Sequence, residues 1–240
     1  TIWAMGEQLK CGDFVPFVFE HKFNMEVGDG DRKQLMSGTI DRVDICENGT
    51  DVYVRIIDYK TGKKDFNIVK TYYGIDIQLM VYMEAAMKLV AKMRPGKNVI
   101  PAGVFYYNIS DPIVSATTES AEEIEDKIKG ELRLKGMVNS DKDIAEKMDN
   151  TEGTSLNIPV SRKADGGFDS RRSKVMNTEQ FNMLGRFVDV RAVDTADRIA
   201  GGDIRRSPYI DGQFSSCDRC PYGACLLYTS PSPRDKRQSR

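Results

Sequence analysis

Gly38-Thr-Ile-Asp41-Arg42-Val-Asp44-Ile-Cys46-Glu-Asn48-Gly49-Thr50-Asp51-Val-Tyr-Val-Arg-Ile-Ile-Asp58-Tyr59-Lys60 reads as a β-hairpin with charged groups at its open end. Asn48-Gly49 between two alternating apolar runs is the strongest short-range hairpin signal. A two-residue turn at that dipeptide predicts that Glu47 pairs with Thr50. Asp41 then falls opposite Ile56, with Asp58 as its diagonal neighbour. Side chains alternate with period two, so Val52, Val54, Ile56, Asp58 and Lys60 share one face, and Asp41, Val43 and Ile45 share it from the partner strand.

That face is apolar near the turn and charged at the far end. Two carboxylates beside an apolar surface repel each other and lose hydration, so a compensating charge is expected. A hard divalent cation supplies it, because Mg²⁺ takes oxygen ligands and is commonly held by one or two carboxylates plus waters. Lys60 adds a positive charge beside the metal. The set suits phosphodiester hydrolysis, with a metal-activated water, a lysine to orient it and charge to stabilise the transition state. The competing reading is a solvent-facing Asp–Lys cluster at a strand end.

The chain has 240 residues, 40% hydrophobic and 30% charged, which is ordinary for a soluble globular protein of one large or two small domains. No apolar run approaches the length of a membrane span, and no secretory leader is evident. The start at Thr1 without a methionine suggests a fragment. Asn48-Gly-Thr50 and Asn108-Ile-Ser110 match the glycosylation pattern and read as chance. With a formal net charge of −1, no global basic field announces a nucleic-acid partner. Local basic clusters occur at Lys60, Lys63 and Lys64, at Arg171, Arg172 and Lys174, and at Arg205 and Arg206. Only the first adjoins the carboxylates; taken alone, such clusters read as solvated loops.

The pattern predicts a short helix over 2–11 ended by Gly12, an extended Phe14–Asn24, and hairpin strands over 35–46 and 51–60. Thr61-Gly62-Lys63-Lys64 lacks the glycine spacing of a phosphate-binding loop. Leu79, Tyr82, Met83, Ala86 and Leu89 at helical spacing predict a helix over 75–93, stopped by Pro95-Gly96. Further predictions are a strand over Val99–Asn108, helices over 119–134 and 140–148, and a long polar loop over 150–176 crossed by one strand near Ile158. Asn177 caps a helix to about Ala200. The order β-β-β-α-β followed by helices implies an α/β fold, a mixed sheet flanked by helices. Gln78 and Tyr82 lie four apart and face the same way.

Cys11 and Cys46 are isolated and read as structural. Cys217-Asp-Arg-Cys220, followed by Cys225, reads as a zinc, iron–sulfur or redox pair. No thioredoxin-like unit precedes it to favour the redox reading. Cys225-Leu-Leu-Tyr-Thr-Ser-Pro-Ser-Pro-Arg-Asp235 looks like a translated sequencing adapter, so 225–240 reads as an unstructured artefact. Arg234, Lys236, Arg237 and Arg240 against Asp235 make residues 226–240 basic, and without them the chain stands at −4.

Gly38-x-x-Asp41-Arg42, Asp58-Tyr59-Lys60 and Gln78-x-x-x-Tyr82, in that order, resemble the RecB-type branch of the PD-(D/E)xK nucleases, a restriction-endonuclease-like fold. Tyr73-Gly-Ile-Asp-Ile-Gln78-Leu79, Ile100-Pro-Ala-Gly-Val-Phe-Tyr-Tyr107, Lys135-Gly-Met-Val-Asn139 and the terminal Cys-x-x-Cys-Pro-Tyr extend the likeness over 1–224. They resemble the C-terminal nuclease domain of AddB-type helicase–nuclease proteins. The resemblance implies an exonuclease-type, metal-dependent deoxyribonuclease that processes double-strand-break ends for homologous recombination. It implies single-stranded DNA from an unwound end as substrate, an AddA-type subunit as partner, and a bacterial cytoplasmic location. Asp41 and Asp58 would bind Mg²⁺ with the Tyr59 carbonyl. Lys60 would position the attacking water, and Gln78 and Tyr82 would support the site. Glu20 would be an outer acidic partner and His21 structural.

The family also carries a [4Fe-4S] cluster on four cysteines, the last three spaced C-x2-C-x5-C. Cys217 and Cys220 match the first two, in a staple segment from about residue 203. The third would fall at 226, where this chain has Leu226, and Cys225 lies one residue early. The resemblance thus implies two of four ligands and an incomplete cluster here. The alternative functions are a catalytically silent single-stranded DNA-binding module and a cluster-stapled assembly module.

Overall fold

A computed structural model describes all residues except 1–5, 7, 29, 31–32, 110–111, 113, 115–119, 206–207, 213 and 223–240. The artefact reading of 225–240, with Cys225, and Arg206 of the third basic cluster therefore lie outside the described residues. The chain divides into two compact units, 1–194 and 195–240.

The first unit is built on a six-stranded sheet in the order β1-β2-β3-β4-β5-β6. The strands are β1 (Val15–Val27), β2 (Gln34–Asn48), β3 (Asp51–Lys60), β4 (Asn98–Asn108), β5 (Lys135–Asn139) and β6 (Val175–Met176). β1, β2 and β3 run antiparallel in sequence, and β4 lies parallel to β3 after a crossover. β5 is antiparallel to β4 and parallel to β6. The mixed α/β sheet expected from the element order is what forms. The crossover carries α1 (Ile68–Tyr72) and α2 (Gln78–Met93); α3 (Ala121–Glu131), α4 (Lys142–Met148) and α5 (Thr178–Ala200) follow. Both sheet faces are covered, so β3 is apolar on both and nearly continuous from Val52 to Ile57. One core joins Val54, Ile56, Val104 and Tyr106 to Leu79, Met83 and Ala86 of α2 and Phe181 and Val188 of α5. The opposite core joins Tyr53, Ile57 and Phe105 to Ile144 and Met148 of α4, with Phe14, Ile158 and Val160.

The hairpin register differs from the expectation by two residues. Asn48 pairs with Asp51 and Arg42 with Ile57, so the turn is Gly49-Thr50. Gly49 takes the left-handed first position at φ 59°, while the Asn48 side chain donates to Tyr53 Oη and Asp143 Oδ2, holding Asn48 in the ladder. Carried one step past Arg42–Ile57, this register sets Asp41 directly against Asp58 rather than against Ile56. A two-residue shift keeps Val43 and Ile45 on the face of Val52, Val54 and Ile56, and all five enter one core; Ile40 enters it too, so the alternation of β2 slips by one between Ile40 and Val43.

Other boundaries also move. α2 starts at Gln78, not 75, because the chain turns at Gly74 (φ 76°) after the unexpected α1, which Asn67 Oδ1 caps through Val69 N and Lys70 N. β5 is a strand that the sequence pattern does not announce. Its Gly136 lies so close to β4 that a Cβ would sit 1.9 Å from Val104 O, a packing demand that leaves no periodicity. No strand forms at Ile158, where Ser155 Oγ accepts the amides of Asn157 and Ile158 in a turn. Residues 8–10 are helical in the first segment. Asn177 caps α5 in a reciprocal pair with Gln180.

The second unit holds the end of α5, the short pair β7 (Ile210–Asp211) and β8 (Phe214–Ser215), and a 3₁₀ turn over Ser216–Arg219. Ser215 caps that turn by accepting Cys217 N, and Cys220 N donates to Cys217 O at 3.1 Å. Cys217 and Cys220 are free thiols on this one turn. Cys46 is a buried free thiol of the first unit, and Cys11 there accepts a hydrogen bond from Asn157, consistent with structural roles.

Candidate active site

At the open end of the hairpin, β2 and β3 present their two carboxylates side by side. Asp41 Oδ2 accepts the backbone amide of Tyr59 at 2.7 Å, which ties β2 to β3 where their ladder ends. Asp58, only 2% exposed, sits on the face it shares with Val54 and Ile56, paired in register with Tyr106 of β4. This excludes the solvent-facing reading of the cluster. The Lys60 ammonium lies 2.5 Å from Asp58 Oδ2 in an ion pair without hydrogen-bond geometry. Burial pushes the Asp58 carboxyl upward against the opposing pull of Lys60, with Asp41 adding to the rise.

The first residue of α2 links these groups. Lys60 Nζ donates to Gln78 Oε1 at 3.0 Å, and Gln78 Nε2 donates to Asp58 Oδ1 at 3.3 Å and to Tyr82 Oη at 2.9 Å. Tyr82, one helical turn on, packs edge-to-face on Phe23 of β1 with centroids 5.8 Å apart. Gly38 makes room for both rings, since a Cβ there would lie 2.9 Å from Phe23 and 3.3 Å from Tyr82. The glycine of Gly38-x-x-Asp41 thus has a packing reason. Asp41, Asp58, Tyr59, Lys60, Gln78 and Tyr82, all singled out from the sequence, come together here.

Three residues not anticipated as site members join them. Tyr106, fully buried, donates to Asp76 Oδ1 at 2.7 Å, and Lys64 Nζ lies 3.2 Å from the same oxygen. Lys60 and Lys64 both stand over the Tyr106 ring, at 5.6 and 5.3 Å from its centroid. Burial, then the acceptor Asp76, pushes the Tyr106 hydroxyl far up, so it stays protonated as a donor. The signals available in the sequence are Tyr106 having the parity of Val104 on the strand beside β3, and Asp76 being a carboxylate flanked by isoleucines. Glu20 occupies the β1 position between Phe19, paired with Arg42, and His21, paired with Ile40, so its backbone lies across from Asp41. It is the one non-glycine residue with left-handed φ, 47°, among the described residues, a costly conformation for a residue bearing a Cβ. Neither the Glu20 nor the His21 side chain makes a hydrogen bond or ion pair among the described residues.

A model of the PD-(D/E)XK nuclease superfamily matches residues 1–225. The chain belongs to this superfamily. It is similar to the B-type subunit of the ATP-dependent helicase/deoxyribonuclease from Clostridium botulinum strain Hall, 36% identical over 239 residues covering 95% of this chain and 21% of the relative. The same-named proteins of Thermoanaerobacter sp. strain X514 (35% over 239 residues; 95% and 20%) and Caldanaerobacter subterraneus (36% over 250 residues; 99% and 21%) are also similar. The chain spans about a fifth of the length of these relatives. Among the described residues, no helix is long and apolar enough to cross a membrane.

PD-(D/E)XK nucleases usually employ a divalent metal, and the donor set here fits one. Asp58 Oδ2 is buried beside the Lys60 ammonium, and the adjacent Asp41 carboxylate spends one oxygen on the Tyr59 amide, leaving its other oxygen for a cation. Among the described residues no group of three or more His, Cys, Asp or Glu side chains converges. For an iron–sulfur cluster, the 3₁₀ turn brings together two thiols, Cys217 and Cys220, half the number a four-cysteine site uses.

Proposed function

We propose that this chain is the Mg²⁺-dependent deoxyribonuclease domain of an AddAB-type helicase–nuclease, trimming single-stranded DNA exonucleolytically during double-strand-break processing for recombination in the bacterial cytoplasm. The observation that carries this reading is the convergence of Asp41, Asp58 and Lys60 on one buried strand end, with Gln78 bonded to two of them. Asp41 and Asp58, with the Tyr59 carbonyl, would hold the cation, which supplies Lewis-acid charge and an acidified water. Lys60 orients the attacking water and offers positive charge to the phosphate. Gln78 fixes the Lys60 ammonium, and Tyr82 fixes Gln78. Tyr106 and Asp76 hold Lys64 beside them. The AddA-type partner supplies the unwound strand. Cys217 and Cys220 contribute two ligands to a [4Fe-4S] staple whose remaining ligands lie elsewhere in the longer protein. A silent binding module or an assembly module would not require all three of Asp41, Asp58 and Lys60.

The test is cleavage of end-labelled single-stranded DNA with Mg²⁺ and with chelator, on the wild-type chain and on Lys60→Ala. Metal-dependent cutting that falls by about 10²–10⁴-fold in the variant is expected, the range for losing a positioned proton-transfer group. A folded protein that binds DNA but cuts equally poorly with and without metal would overturn the enzyme reading.

A further inference from the structure

Two basic clusters more than a hundred residues apart in sequence meet in one cleft. It has a volume of about 520 Å³ and lies in the first unit, beginning at Thr61 directly after Lys60. Lys63 and Lys64 line it from the loop after β3, Arg133 and Lys135 from the approach to β5, and Arg172 and Lys174 from the loop before β6. Asp65 and Glu131 are its acidic lining residues. In a chain of net charge −1, this is a local concentration of positive charge.

The charges divide by what they already hold. Lys174 is ion-paired with Asp65, and Lys64 with Asp76. Arg133 is anchored through Ile158 O at 2.7 Å and Val160 O at 3.1 Å, a fixed cation with no carboxylate bonded to it. Lys63, Lys135 and Arg172 line the cleft without an ion pair among the described residues. The walls are also preset. Asn108 accepts from Lys64 N and donates to Lys64 O, both at 3.0 Å, and Lys174 N donates to Pro159 O at 2.8 Å. One fixed cation, Arg133, and three unpaired ones, Lys63, Lys135 and Arg172, along one groove with Ile109, Leu134 and Pro159 among its walls suit a sequence-independent polyanion. Lys64 lines this cleft and also stands over the Tyr106 ring, and Thr61 of the cleft follows Lys60 directly, so the cleft adjoins the candidate active site.

We propose that this cleft binds the phosphodiester backbone of single-stranded DNA beside the bond to be cut, with Lys63, Lys135 and Arg172 as its phosphate contacts. The proposal rests on the nuclease reading for its ligand, but its test does not depend on cutting. Binding of a dye-labelled oligothymidylate to the full chain is followed by fluorescence anisotropy in chelator at several salt concentrations. For single strands each phosphate contact contributes a slope of about 0.7 in log K against log salt, so Lys63→Ala/Lys135→Ala/Arg172→Ala should flatten the slope by about 2. Should the triple variant fail to fold, the exposed pair Lys63→Ala/Arg172→Ala should flatten it by about 1.4. The charge-preserving set Lys63→Arg/Lys135→Arg/Arg172→Lys should keep it. Wild-type binding with a slope that these alanine variants leave unchanged overturns the proposal, as does absence of salt-dependent binding by the wild type. Asp58→Asn separates the two readings: it should abolish cutting and leave the slope intact. A wild type that never cuts, yet loses slope in the alanine variants, would sink the nuclease reading and leave the cleft assignment standing.

Discussion

Behind the candidate site, on the opposite sheet face, a single carboxylate holds two buried guanidinium groups. Asp44 accepts Arg42 Nε at 2.6 Å and Nη2 at 2.8 Å, and Arg55 Nε at 2.9 Å. Arg42 and Asp44 are 0% and Arg55 1% exposed, and Arg55 also lies over the Phe14 ring at 4.9 Å. Asp44→Asn keeps the shape of this cluster and removes the only carboxylate bonded to both arginines. Breaking a buried pair by deleting one charge costs about 3–5 kcal/mol, because the remaining ions keep their desolvation penalty. A domain of this size shifts its melting temperature by about 2–4 °C per kcal/mol, so a fall of roughly 6–20 °C is expected. Thermal melts followed by circular dichroism, with urea titration as a second route to the free energy, measure it. Arg42→Met/Asp44→Leu/Arg55→Met, which removes all three charges, should recover most of the loss. A single variant that costs less than about 1 kcal/mol, or a triple variant as unstable as the single one, would refute the reasoning. The cluster matters to the site because Arg42 follows Asp41 directly and its Nη1 reaches Tyr59 Oη at 3.5 Å, bracing the strand ends that carry the carboxylates.

Gln78→Ala should leave the fold intact and lower cutting by about 10²-fold, the cost of misplacing a reacting group by about 1 Å. Gln78→Glu, which keeps an acceptor for Lys60 and loses the donors to Asp58 and Tyr82, should fall between that variant and wild type in the same assay. Glu84 of α2 lies among Asp189, Lys88 and Arg186, and burial followed by Asp189 raises its carboxyl above the ordinary value of 4.5. The folded chain therefore holds this proton more tightly than the unfolded chain, and stability declines as pH rises from about 4.5 through the raised value. Glu84→Gln should remove that decline and raise the melting temperature at pH 7 by a few degrees, with no gain below pH 4, as melts across pH would show.

What can be seen in the sequence follows from how local each feature is. The hairpin, its face assignment and the order Asp41, Asp58, Lys60, Gln78, Tyr82 depend on period-two and period-four spacing, which the chain carries in itself. The register does not, because Asn48-Gly49 and Gly49-Thr50 both offer a two-residue turn, and the choice is settled by Asn48 reaching Tyr53 and Asp143, the latter 95 residues away in sequence. β5 escapes pattern reading because its five residues are specified by close packing on β4 around Gly136. Asp76 and Tyr106 escape it as site members for a related reason: they meet across 30 residues of chain, and neither has a recognisable partner nearby in sequence. The basic cleft is the extreme case, since Lys63 and Arg172 become neighbours only once β3, β5 and β6 lie in one sheet.

Local rules are broken at several places near the end of β3. Glu20 takes a left-handed φ across from Asp41. Asp58 buries a carboxylate whose second oxygen lacks a hydrogen bond. α2 begins at an Ile77 cap that offers no side-chain hydrogen bond, and Asp76 lies one residue before that cap position. Its carboxylate is instead committed to Tyr106 and Lys64. Elsewhere the same chain caps its helices as expected, with Asn67 for α1, a Ser120–Glu123 box for α3 and Asp141 for α4. Glu20 and Asp58 both depart from local rules near the end of β3, as expected where a site is built; the buried Arg42–Asp44–Arg55 cluster on the other face has its own buried atom without a hydrogen bond, Arg55 Nη2, so buried charge alone does not single out this strand end.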